Sequence, residues 1–135
     1  MSAVIGTKMS RRYLTLSEAK SALDRGNTIE CFLGTCVRNG ERGIKWLSLS
    51  SRGEKVGLAI YETADLGNES HLDLYEFGPL DPNLELDEPD QEKLFSDFES
   101  AISEVDQTYP ASSTKLMNEG VIQDEYSDFM SRGRK

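Results

Sequence analysis

The single histidine, His71, stands two residues before Asp73, so on a strand the imidazole and the carboxylate would share one side. Such a pair could meet a metal ion or move a proton, and a satisfied surface histidine would look the same. The two cysteines, Cys31 and Cys36, lie five apart in a strand-like run. An odd separation sets them on opposite faces of a strand, too far apart for a local disulfide, and marks them as ordinary core or edge thiols. With 24 Asp and Glu residues in the chain, some carboxylates will be close in any fold, so acid–base catalysis by a carboxylate pair cannot be read without geometry. Oxygen-bearing side chains at alternate positions 81, 83, 85 and 87 have the rhythm of a calcium loop. That stretch, however, lacks the sixth-position glycine and contains Pro82 and Pro89, which fits a solvated acidic loop better. No nucleophile elbow, P-loop, H-E-x-x-H or dinucleotide fingerprint occurs. The residues assign no catalytic group, metal or cofactor, and the chain reads as a non-enzyme.

What stands out is how the charge is distributed. Residues 62–106 carry fifteen Asp and Glu against one base, Lys93, whereas the whole chain has a formal net charge of −9. Residues 1–61 are net basic and residues 107–135 are balanced. Segregation of this kind bears on partners rather than on fold. It opposes direct contact with a nucleic-acid backbone. It suits a basic protein, including one that itself binds nucleic acid, whose approach an acidic surface would accelerate. Plain solubility is the other reading of the same charge.

The elements that would position these acids follow from local signals. Residues 1–12 read as a flexible arm ending in Arg11 and Arg12. Thr15 and Glu18 form a capping box that opens a short helix over about 16–25. Strands are predicted at 28–37, 44–50, 55–62 and 70–77, with Asn39-Gly40 as the clearest hairpin signal. The links are too short for crossover helices, so the strands should form a four-stranded antiparallel meander. A proline-interrupted acidic loop over 78–89 leads to an amphipathic helix at 90–106, with Leu94, Phe98, Ala101 and Val105 on one side. A docked C-terminal segment with a short helix near 123–130 completes a single α+β domain over 13–130, before a frayed tail at 131–135.

Alternation then sorts the sheet into two faces. Leu47, Leu49, Val56, Leu58, Ile60, Leu72 and Leu74 make an aliphatic side for the long helix to cover. Trp46, Ser48, Ser50, Ala59, Tyr61, Asp73, Tyr75 and Phe77 make a mixed side. Aromatic residues among polar ones suit a protein interface. Cover by the first helix or the C-terminal segment, or contact with a second copy, would also account for them, so monomer and homodimer both stay open. The candidate partner-binding residues are Asp65, Glu69, Asp73, Tyr75, Asp81, Glu85, Asp87, Glu88, Asp90, Trp46 and Tyr61. No run of about 18 apolar residues is present, so no membrane span is expected. The N-terminus lacks a signal-peptide core, which points to a cytoplasmic protein.

A capped helix, the strand Glu30-Cys-Phe-Leu-Gly34, the strand Ile44-Lys-Trp-Leu47, the segment Asp73-Leu-Tyr-Glu-Phe77, an acidic loop and an amphipathic helix follow one another over residues 13–106. In this arrangement the chain resembles small bacterial immunity proteins of polymorphic-toxin and contact-dependent growth inhibition systems. The Asn118–Tyr126 segment adds to the likeness. The resemblance is architectural and carries no functional residue across. It implies non-catalytic neutralisation of a cognate toxin, often a basic nuclease, through an acidic surface. An acidic secretion chaperone that binds an effector, and an enzyme of unrecognised type, are the alternatives. A sheet interrupted by a helix would favour the first of these, and a deep pocket joining His71 to carboxylates the second.

Overall fold

The computed structural model describes residues 12–133; of the arm expected at 1–12, all but Arg12 lies outside the described residues, as does the end of the expected tail. The first element is helix α1 (Leu16–Asp24). Its capping box forms as the sequence predicts: the Glu18 N–H donates to the Thr15 hydroxyl at 3.1 Å, and the Thr15 N–H donates to the Glu18 carboxylate at 2.9 Å. Two backbone donors at the helix start are thereby satisfied.

Strands β1 (Ile29–Arg38), β2 (Glu41–Arg52) and β3 (Lys55–Ala64) follow as two successive hairpins. Asn39 and Gly40 both take positive φ (53° and 80°), the backbone a two-residue turn needs to match the right-handed strand twist. With strands β4 (Gln91–Phe95) and β5 (Met117–Asn118) the sheet has five antiparallel strands in the order β4-β3-β2-β1-β5. Helices α2 (Phe98–Thr108) and α3 (Ile122–Ser131) complete an α+β fold.

The fourth strand of the meander is present, but residues 70–77 do not form it. That segment carries a single 3₁₀ turn at Leu74–Glu76, whose Tyr75 N–H donates to the Asp73 side chain. The edge of β3 is taken instead by β4, within the stretch expected to begin the long helix. Asp90 starts this pairing: its N–H donates to the Ile60 carbonyl at 2.7 Å, and its carboxylate accepts the Glu62 N–H at 2.6 Å. The helix then begins later, at Asp97, whose side chain accepts the Ser100 N–H at 2.8 Å. Leu94 matches the helical periodicity of Phe98 and Ala101, yet it sits on β4 opposite Gly57 and is 58% exposed. Short apolar runs are ambiguous between the two periods, and here an open strand edge decides. The two-residue β5 on the far side of β1 has no sequence signal.

The sheet is buried on both faces. On one, Leu47, Leu49, Val56, Leu58 and Ile60 pack under α1 (Ala19, Ala22, Leu23) and α2 (Phe98, Ala101, Ile102, Val105). On the other, Ile44 and Trp46 meet Leu74, Ile122, Tyr126 and Phe129. Leu72 and Leu74 therefore belong to this second face, not to the aliphatic one, because the segment carrying them crosses over the sheet instead of joining it.

A β-bulge between Phe32 and Gly34 shifts the register of β1, so that Cys31 opposes Leu47 while Cys36 opposes Gly43. One extra residue reverses the alternation. Cys31 and Cys36 thus share the side covered by α1 and α2, contrary to the odd-spacing argument, and both are free thiols. Burial pushes the Cys31 thiol up to about 12. No helix among the described residues is long and apolar enough to cross a membrane.

The revised start of α2 is testable by unfolding in urea. Leu94→Ser should change stability by less than about 0.5 kcal/mol, as for an ordinary surface site. Phe98→Ala should cost about 3–5 kcal/mol by opening the core.

Candidate functional site

The second face of the sheet is built around Trp46. Its indole N–H donates to the Thr63 hydroxyl at 3.1 Å, which fixes the ring across two strands. Tyr61, opposite it on β3, stacks on the indole at 4.2 Å between centroids and 10° between planes. Tyr75, from the 3₁₀ turn, meets the indole edge-on at 5.5 Å and 74°. Aromatic pairs in these geometries attract beyond the area they bury.

Tyr75 is held in turn by a buried carboxylate. Glu30, on β1, is 1% exposed. Both its oxygens lie 2.8 Å from the Tyr75 hydroxyl, which donates to them, and the Gly120 N–H donates to Glu30 Oε1 at 3.1 Å. Burial raises the Glu30 carboxyl above its usual range, while these two donors pull it back. Tyr75 is raised as well, by burial and then by the nearby Glu30, so its hydroxyl keeps the proton it donates.

Helix α3 carries a matching pair of polar clasps. The Tyr126 hydroxyl donates to Asp65 and accepts the Gly67 N–H, the latter at 2.9 Å. Glu125, also buried, accepts from the Tyr13 hydroxyl at 2.7 Å and from Arg12 at 2.6 Å. Arg12 further pairs with Asp128 at 2.9 Å. These clasps fasten both the chain ahead of α1 and the start of the acidic loop to the last helix.

Between the aromatic cluster and that loop lies a cavity of about 120 Å³. Trp46, Tyr61 and Tyr75 line it together with Leu86, Asp87 and Glu88. Five of the residues singled out from sequence thus converge on one place. Glu85 is exposed beside it, its N–H donating to the Glu88 carboxylate at 2.7 Å, and Glu69 is exposed at the tip of the 65–69 turn.

The other acids are engaged within the fold. Asp65 is clasped by Tyr126, and Asp73 accepts the Tyr75 N–H at 3.1 Å. Asp90 pairs with Arg38 at 2.8 Å with its side chain only 7% exposed, and Asp81 lies 3.5 Å from the same guanidinium. The alternate oxygens of residues 81–90 are not gathered round a point: among the described residues, no group of three or more His, Cys, Asp or Glu is placed to hold a metal ion. His71 is exposed, its backbone bridged to Asn68.

Sequence reasoning missed Glu30, Thr63 and Leu86. Thr63 and Leu86 carry no signal of their own. Glu30 does, since an acid inside the otherwise apolar run Ile29–Leu33 invites the question of what satisfies it. Comparison with protein-family models, with curated proteins and with solved structures finds no match.

The Glu30–Tyr75 bond gives stability a defined pH dependence. A carboxyl whose folded pKa is raised binds more protons folded than unfolded across the interval between the two values. Its contribution therefore falls as pH rises from the ordinary glutamate range through the raised one. Tyr75→Phe removes a donor to the ionised form and extends that interval upward. The variant should lose about 1–3 kcal/mol near pH 8 and distinctly less near pH 4.5, where the raised carboxyl holds its proton more of the time; urea titrations at the two pH values read the difference.

Proposed function

We propose that this protein is a non-catalytic inhibitor that binds a basic protein partner, in the manner of an immunity protein neutralising a cognate toxin, a nuclease being one such partner. The reading rests on where the unpaired acids lie. On the neighbouring β4 and α2 the exposed acids Glu92, Glu104 and Glu99 are matched by Arg52, Lys93 and Lys20. Within the loop of residues 65–90, Glu69, Glu76, Glu85, Asp87 and Glu88 are exposed, and none makes an ion pair among the described residues. Their mutual repulsion is uncompensated within this surface, which a basic partner would relieve.

Two further features agree with it. A connection of this length with no regular structure beyond one 3₁₀ turn is uncommon in a compact domain and is most often functional. Leu66 and Leu86 stand exposed among the acids, at 64% and 54%, and would give a partner apolar contacts inside a charged rim.

Co-expression with the toxin encoded beside this chain should protect cells from it. The purified complex should weaken at least about tenfold as salt rises from about 50 to about 500 mM, because exposed charges are screened. Charge-neutral replacement of Glu85, Asp87 and Glu88 by Gln, Asn and Gln should weaken binding about tenfold or more while leaving the urea midpoint in place. Undiminished protection by that variant would remove the loop from the interface.

A further inference from the structure

We infer that the cavity between the sheet's second face and the acidic loop receives an arginine side chain of the basic partner, an assignment that rests on the protein-binding reading above. Three properties of the cavity select this ligand. The first is its walls. Trp46, Tyr61 and Tyr75 line it, and rings of this kind attract cations over their faces. A guanidinium does so with least loss, being flat and weakly hydrated.

The second is its charge. The lining includes Glu62, Asp87 and Glu88 and no lysine or arginine. Glu62 is already answered by Lys45 at 3.3 Å and by Arg38 at 3.7 Å. Asp87 and Glu88, the latter also accepting the Glu85 N–H at 2.7 Å, are the lining carboxylates without an ion-pair partner among the described residues, and both belong to the loop. An anion would face them directly, and an apolar group would leave them to be desolvated without a partner. Leu86, on the same rim, offers apolar surface to the methylene stem of an arginine.

The third is its order. The indole is tied to Thr63 and the Tyr75 hydroxyl to Glu30, so the rings stand in place before anything binds. A ligand then has little to organise, which lowers the entropic cost of association. At about 120 Å³ the space is far larger than the roughly 10–15 Å³ that one water needs.

Trp46 is the sole tryptophan, so its fluorescence reports on this cavity directly. The full chain is titrated with N-acetyl-arginine methylamide and, separately, with the citrulline analogue, which has nearly the same shape and no charge. A saturable change in Trp46 emission is expected with the arginine probe and not with citrulline. Asp87→Asn combined with Glu88→Gln, both exposed positions, should weaken the arginine response at least about fivefold with the urea midpoint unchanged. An equal response to citrulline, no saturable response, or full retention in the double variant would overturn the assignment. The two readings fail separately. Arginine binding in a chain that does not bind the neighbouring toxin removes the inhibitor and keeps the cavity's ligand. Toxin binding without any arginine response does the reverse.

Discussion

Glu30 is a carboxylate placed where the fold can least solvate it, in the middle of a sheet covered on both sides, and much of the second face is arranged around satisfying it. A buried anion without partners would cost several kcal/mol or take up a proton. Here its donors are the Tyr75 hydroxyl and the Gly120 N–H. The first belongs to the segment that crosses the sheet, the second to the turn just before α3. One side chain thus ties a central strand to two elements distant in sequence. A single geometry satisfies all three groups, and it sets the Tyr75 ring in a T-shaped contact with Trp46.

The loop of residues 65–90 is held at both ends by the same kind of contact. Tyr126 clasps Asp65 at its start, and Arg38 gathers Asp81 and Asp90 towards its end. Of the acids between these anchors, Asp73 caps the 3₁₀ turn, while Glu69, Glu76 and Asp87 make no ion pair among the described residues. This division separates carboxylates that build the structure from carboxylates the structure displays, and two of the displayed set, Asp87 and Glu88, line the aromatic cavity. Burial of the sheet's second face, which the aromatic residues might have suggested was open, leaves a ring-lined recess instead of a flat interface.

The sequence made the α+β class legible, along with α1, the first three strands and α3. Each rests on a local signal strong enough to survive packing: a capping box at Thr15, an Asn-Gly turn at 39–40, β-branched alternation, and the apolar spacing of Ile122, Tyr126 and Phe129. The errors fall where two local readings compete. His71-Leu-Asp-Leu-Tyr-Glu-Phe77 alternates like a strand, and Leu94 is in phase with a helix. In both cases the outcome turned on which segment reached the free edge of β3, a competition between distant parts of the chain.

Composition and order along the chain determined by themselves that negative charge gathers in residues 62–106 and that a hairpin sheet precedes an amphipathic helix, because charge and periodicity are properties of consecutive residues. Only the tertiary structure decided which acids are free. Asp65, Asp73 and Asp90 look like Asp87 and Glu88 in one dimension, yet the first three are held by Tyr126, the Tyr75 N–H and Arg38. Their partners lie far away in sequence or arise from a turn the alternation concealed. The meeting of Trp46, Tyr61 and Tyr75 with Asp87 and Glu88 in one cavity likewise depends on a loop folding back across a sheet face. Contacts of that range come from the whole packing, and no local pattern encodes them.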